Sequence, residues 1–295
     1  MANAKEILTR MRSIQDTMKI TKAMYMISSA KLKKARKSME DAYFHFYSIQ
    51  ESIKKMLEYV PDIENDYFGH GNMMDKKSVG YIVVTADKGL AGVYNQNVIK
   101  KMQRQLDINP QGKLFVVGQI GRSYFEKKGY DIDQHFQYTA QNPSIHRARV
   151  ISEEILARYN EQQLDEVYIV YTRHQGGMES GAEMVKLLPL SKADFHNDSE
   201  KLQVSRDNIS YLPSPEEVMD LMVPNYITGY IYGALVESFA CEQNDRMIAM
   251  DAATGNATEM LRELSIQYNR MRQAAITQEI TEVIAGAKAQ KRKKK

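Results

Sequence analysis

The sequence predicts an α/β plus coiled-coil protein, with long antiparallel N- and C-terminal helices flanking a mainly parallel, Rossmann-like α/β domain. Three observations predict it. Both ends carry an apolar repeat in alternate steps of four and three residues, the middle alternates short apolar runs with helical patterns, and prolines mark the boundaries. The division is residues 1–60 for the first helix, 61–213 for the α/β domain with its loops, and 214–295 for the second helix and a basic tail.

The first helix is expected from about Asn3 to Val60. Its repeat picks out Ile7, Met11, Ile14, Met18, Thr21, Tyr25, Ser28, Leu32, Ala35, Met39, Ala42, Phe46, Ile49, Ile53, Met56 and Val60. Only Thr21 and Ser28 in that set are polar. A seven-residue repeat held this long predicts a left-handed coiled coil rather than an ordinary amphipathic helix. Asn3 with Glu6 reads as a capping box, and Pro61 as a stop. At 1.5 Å per residue such a helix is roughly 85 Å long, more than the core of a domain this size can use.

The middle is expected to hold strands at Val79–Thr85, Lys113–Gly118, Val167–Thr172 and Glu183–Leu188. Helices fall between them at Tyr94–Leu106, Arg122–Lys128 and from a cap at Asn142-Pro143 to about Tyr159. Strand–helix alternation implies a mainly parallel sheet with helices on its faces. Polar loops, Asp62–Lys77 and Ser191–Asn208, interrupt this plan.

The last helix opens at Ser214-Pro215-Glu216-Glu217, with Ser at N-cap, Pro at N1 and Glu at N3. Pro224 is expected to kink or restart it. The repeat returns at Val236, Ala240, Gln243, Met247, Met250, Thr254, Ala257, Leu261, Leu264, Tyr268, Met271 and Ala275. Because the first helix enters the middle by its C-terminus and the second leaves by its N-terminus, any pairing is antiparallel. The seam is assigned to Ile14, Met18, Tyr25, Leu32, Leu261, Leu264 and Tyr268, and the 18 methionines supply adaptable packing. Gly286 is expected to stop the helix. The cations after it repel one another, which predicts a disordered tail.

Composition narrows the function. Among 295 residues no apolar run approaches the roughly 20 needed for a membrane span. Charges break up the first ten residues, so no secretory leader is expected. One cysteine, Cys241, allows no internal disulfide and suits a reducing compartment. Removing the six cations of the tail turns the formal charge from +3 to −3. The body therefore lacks the basic face expected of a nucleic-acid protein.

Candidate chemistry is sparse. Val116-Val117-Gly118-Gln119-Ile120-Gly121 puts glycines after a strand and before a helix, where a dinucleotide fold places its phosphate loop. The third glycine of that fingerprint is replaced by Tyr124, and the run reads equally as a tight βα turn. Asp87-Lys88-Gly89-Leu90-Ala91-Gly92 lacks the ending of a P-loop. His45, His70, His135, His146, His174 and His196 show no metal-ligand spacing, so no metal and no cofactor are expected. Glu153-Glu154 reads as a solvated pair rather than a catalytic dyad. The cluster Lys31-Lys33-Lys34-Arg36-Lys37 reads as a solvated face or as a contact for an acidic partner. Two other classes stay open: a nucleotide-binding enzyme using the α/β domain, and a scaffolding coiled coil.

Several blocks resemble ATP synthase gamma subunits. Near the N-terminus these are Lys5-Glu6-Ile7, Ile14-Gln15-Asp16-Thr17, Lys19-Ile20-Thr21-Lys22-Ala23-Met24 and Ser29-Ala30-Lys31-Leu32. Thr85–Gly92 fits the family's central block, and Glu242–Met250 and Tyr268–Ile280 are similar to its C-terminal ones. The resemblance implies a rotor shaft with no active site of its own. Its implied partners are the alpha and beta subunits around it, the epsilon subunit and the c-subunit ring. Membrane association is through the complex only, at the cytoplasmic face of the cell membrane. Met24, Arg246, Arg272, Gln273, Thr277 and Glu279 match family positions that approach beta subunits or each other. The chain departs from the family in three ways. Lys88 replaces a more usual arginine, no cysteine pair marks a thiol switch, and the basic tail is longer.

Overall fold

The computed structural model describes residues 4–69, 78–176, 179–195 and 211–293, with side chains for all of these except 41–45, 179 and 289–293. The expected cap at Asn3, His70, His196 and most of the two polar loops lie outside the described residues, as does the side chain of His45. The chain forms two compact units. Ser28–Arg246 make one; the residues up to 27 with those from 247 onward make the other. Helices α1 (Ala4–Tyr59) and α5 (Pro215–Lys293) take part in both.

In the larger unit, strands β1 (Val79–Val84), β2 (Lys113–Val117), β3 (Glu166–Gly176) and β4 (Glu179–Leu188) form one sheet in the order β2-β1-β3-β4. β1 pairs in parallel with β2 and β3, and Ile82 stands opposite Phe115 and Ile169. β4 is antiparallel to β3 as the second arm of a hairpin. All six residues of β1 are buried, as a central strand covered on both faces requires.

Tyr81 and Val83 point to the face covered by α2 (Tyr94–Ile108) and α3 (Gln119–Lys128), where Val98, Met102, Leu106 and Phe125 join them. Ile82 and Val84 point to the opposite face. There α4 (Ile145–Asn160) contributes Ile151, Ile155 and Tyr159, and α1 contributes Ile53, Met56 and Leu57. The start of α5 completes this layer with Met219, Val223, Ile227, Ile231 and Leu235. The opening of the last helix is thus core, not an appendage to it.

Beyond β2, residues 131–138 run along the sheet edge through parallel bridges Leu114↔Ile132 and Val117↔Tyr138. Asp133 pins this segment. Its carboxylate accepts from the backbone N–H of His135 and Phe136 at 3.0 and 3.2 Å, and pairs with Arg158 at 3.0 Å and Lys113 at 3.4 Å. Burial pushes its carboxyl up, but the N–H of His135 and the two cations outweigh that and hold it below the usual carboxylate range.

In the smaller unit, α1 and α5 pair antiparallel. The hydroxyls of Thr21 and Thr254 lie 2.8 Å apart, and Thr258 donates to Met18 Sδ at 3.6 Å. Ile7, Thr21, Met250 and Ala257 are buried; Ile14, Met18, Leu261, Leu264, Tyr268 and Met271 are half-buried. Leu32 is buried in the larger unit.

Several elements differ from expectation. Pro224 does not restart α5, which runs unbroken, and Gly286 does not end it: the helix continues to Lys293. Gly286 lacks the positive φ of a C-terminal stop, and a helical glycine costs only about 1 kcal/mol. Ser144, not Asn142-Pro143, caps α4, accepting from the N–H of Arg147 at 3.3 Å. Tyr25 is 37% exposed, and Met24 beside it is half-buried.

Replacing both Leu261 and Leu264 with Asp is expected to lower helix content by circular dichroism and to weaken assembly, because carboxylates would be drawn into the seam. Replacing Asp133 with Asn is expected to cost about 1–2 kcal/mol at pH 7 in urea unfolding. Its folded pKa is depressed, so the stabilisation is present above about pH 4 and fades as pH falls below that. The gap between parent and variant should therefore narrow at pH 3.

Candidate functional site: the α5 surface and the turn it clasps

The glycine turn after β2 has a structural cause. A Cβ at Gly118, whose φ is +92°, would lie 2.1 Å from the Thr85 carbonyl oxygen, and one at Gly121 would lie 2.6 Å from Thr85 Oγ1. Both glycines admit the end of β1. The N–H of Gly121 donates to Thr85 Oγ1 at 3.0 Å. The N-terminus of α3 has a ligand from its own chain. Asp87 accepts from the N–H of Gln119 at 3.2 Å through one carboxylate oxygen. Through the other it accepts from the Thr139 hydroxyl and from the N–H of Ala140 and Gln141 at 3.0 and 3.1 Å. A carboxylate therefore stands where a phosphate would bind a helix N-terminus.

The turn that begins with Asp87 is held against α5. Arg246 donates through Nη2 to the carbonyls of Lys88 and Gly89, both at 3.1 Å, and through Nη1 to Glu242 at 2.6 Å. Glu242 is buried, and its Oε2 has no hydrogen-bond partner. Burial raises its carboxyl above the usual range, opposed by Arg246. Ser238 bridges the Tyr94 hydroxyl at 2.7 Å and the N–H of Thr172 at 3.3 Å. Glu237 accepts from the N–H of His174 at 3.1 Å, and Asp245 from Ser180 at 3.3 Å. Cys241 packs beside Ala86, Ala91 and Tyr94, and burial pushes its thiol up to about 12, leaving it unreactive at neutral pH.

The expected contact residues divide. Met24 is half-buried, whereas Arg272, Gln273, Thr277 and Glu279 are exposed on α5. The Thr277 hydroxyl donates to the Gln273 carbonyl at 2.9 Å. Arg246 is directed into the larger unit. It is 7% exposed, and its guanidinium is engaged within the chain. From residue 272 to 288 every side chain of α5 is exposed, including Ile276, Ile280, Val283 and Ile284. Glu154 is not simply solvated: it pairs with Arg158 at 2.9 Å and accepts from Tyr138 at 3.0 Å. Among the described residues no group of three or more His, Cys, Asp or Glu could hold a metal ion. Ser238 and Glu237 were missed in the sequence, where nothing separates them from other polar helix residues.

Comparison with known proteins gives a consistent answer. The family model described as ATP synthase matches residues 3–290. The ATP synthase gamma chain of Ruminiclostridium cellulolyticum is 43% identical over 289 residues, covering 97% of this chain and 98% of that protein. The one from Acetivibrio thermocellus is 43% identical over 298 residues, covering 99% and 100%. The sodium-ion-specific gamma chain of Acetobacterium woodii is 36% identical over 300 residues, covering 97% and 98%. The fold matches a chain of the central stalk and c-ring of the Tetrahymena thermophila mitochondrial ATP synthase, with TM-score 0.59, 24% identity and coverage of 79% and 99%. It also matches a chain of the Euglena gracilis mitochondrial enzyme, with TM-score 0.57, 17% identity and coverage of 92% and 96%. The chain belongs to the ATP synthase gamma chain family.

Proposed function

We propose that the protein is the rotor of the central stalk in an F-type ATP synthase, coupling ion flow through a membrane sector to ATP synthesis and hydrolysis in a ring of alpha and beta subunits. One observation carries this reading. A single helix starts inside the α/β core and ends with a long, fully exposed stretch that still bears Ile276, Ile280, Val283 and Ile284. Such a stripe is at odds with a freely solvated helix and fits one enclosed by other subunits. The epsilon subunit and the c-subunit ring are the partners for the α/β domain. No helix of the described residues is long and apolar enough to cross a membrane. The chain is therefore assigned a peripheral place at the cytoplasmic face of the cell membrane, held there by the complex.

The protein itself is proposed to be non-catalytic. The position a nucleotide phosphate would take at α3 is filled by Asp87, and the glycines there serve Thr85. This weighs against the nucleotide-binding enzyme, and the paired family blocks weigh against a generic scaffold.

The mechanism is differential binding. A shaft with unequal faces meets chemically equivalent beta subunits differently and biases each toward a different conformation. Moving a two-state element from 1:99 to 99:1 takes about 5.5 kcal/mol of differential interaction. One exposed ion pair supplies about 0–1 kcal/mol. The bias must therefore be spread over many contacts, mostly steric and apolar. Coupling is reciprocal: rotation drives the beta states, and hydrolysis drives rotation back.

Two measurements check this. The purified chain is expected to show no ATP turnover; robust turnover abolished by a mutation in residues 79–188 would overturn the non-catalytic assignment. Alanine at Arg272, Gln273, Thr277 and Glu279 is expected to slow hydrolysis by the assembled complex several-fold or to weaken assembly, while the isolated chain stays folded. Parental rates for all four would remove these residues from the contact.

A further inference from the structure

Apolar packing holds a helix onto a sheet but is non-directional, so it constrains separation more than rolling about the helix axis. Hydrogen bonds are directional and weaken steeply with angle. In the larger unit several directional bonds from α5 to the sheet and its turns fall between residues 237 and 246. Glu237 accepts from the N–H of His174 in β3, and Ser238 accepts from the N–H of Thr172 in the same strand while meeting the Tyr94 hydroxyl of α2. Asp245 accepts from the Ser180 hydroxyl of β4, and Arg246 donates to the Lys88 and Gly89 carbonyls after β1. These residues form two pairs about two helical turns apart, and their partners come from four separate elements.

The last member is the most tightly fixed. Arg246 is held by Glu242 at 2.6 Å on its own helix. The turn it grips is fixed in turn by Asp87, which is bonded to α3 and to residues 139–141. Leu90 at the tip has φ +62°, a left-handed conformation rare for a residue with a side chain, and Gly92 follows at +55°. The tip keeps that conformation because both flanks are pinned.

We propose that this polar row, ending in Arg246, is an azimuthal lock: it fixes the rotational setting of α5 about its own axis relative to the sheet, and Arg246 is a positioning residue rather than a partner contact. The inference rests on the rotor reading above. In a rotor the setting matters because α5 runs on unbroken past Arg246.

The test uses the complex reconstituted with the full chain, its ring immobilised and a probe on a cysteine introduced by Gln111→Cys, in the exposed turn between α2 and β2. The reading is the angular width of the pauses during ATP-driven rotation. Arg246→Met alone strands a buried carboxylate, so it is combined with Glu242→Gln. Charge-assisted hydrogen bonds are about twice as strong as neutral ones, and Glu237 and Asp245 keep theirs, so this pair removes about two-fifths of the directional stiffness and should broaden the pauses roughly 1.3-fold. Ser238→Ala should broaden them less. Arg246→Lys, which keeps the charge but not the two-pronged donor, should fall between the parent and the double variant, and it decides the matter if the double variant fails to assemble. Unchanged widths in Ser238→Ala and Arg246→Lys would overturn the lock. Failure of the parent complex to rotate would instead overturn the rotor reading.

Discussion

The continuity of α5 through Pro224 is the constraint on which the rest of the structure depends. Proline removes one helical N–H and its ring crowds the preceding turn, at about 3 kcal/mol in a helix interior. Around it, Met219, Val223, Ile227 and Ile231 are fully buried against the sheet. Each such side chain contributes about 1.5–3 kcal/mol on burial, so packing outweighs the proline several times over. Local bonds help. Asn225 Nδ2 donates to the Leu221 carbonyl at 2.9 Å, and Asp220 accepts from Asn65 at 2.7 Å.

In the α/β domain a carboxylate, that of Asp87, stands at the start of α3, where a nucleotide-binding fold holds a phosphate. Thr85 presses into the space that Gly118 and Gly121 leave, and Asp87 accepts from the N–H of Gln119 at the start of α3 and from those of Ala140 and Gln141. The same carboxylate also stiffens the turn that Arg246 grips. A parallel sheet suits this use: its buried strands give a rigid base, and the turns at their C-terminal ends, elsewhere sites for ligands, here meet a helix.

Along α5 the environment changes by degrees. Residues near Ile231 are buried, those near Leu261 half-buried, and those after Met271 exposed. The composition hardly changes with it, since Ile276, Ile280, Val283 and Ile284 continue the apolar content into the exposed stretch. Coupling by differential binding uses such a surface well. Many weak apolar contacts sum to the several kcal/mol a conformational bias needs, and no single one traps the rotor.

Periodicity was enough to locate the two long helices, because a repeat sustained over eight heptads has one physical reading and Ile7, Leu32, Met56 and Met250 obey it. β1 was legible too, since six apolar residues between turn signals fit a strand buried on both faces. The antiparallel hairpin of β3 and β4 exceeded its apolar residues, because its outer half, with Arg173 paired to Glu183 at 3.3 Å, is held by ladder bonds and charge rather than burial. The inward direction of Arg246 and the roles of Asp87 and Ser238 depend on partners more than 30 residues away, and a sequence pattern records only its neighbours. The sequence by itself determined which segments are helix and strand and which family the chain resembles. Only the tertiary structure decided which polar side chains face inward, because burial and hydrogen-bond partnership are properties of packed surfaces rather than of residue order.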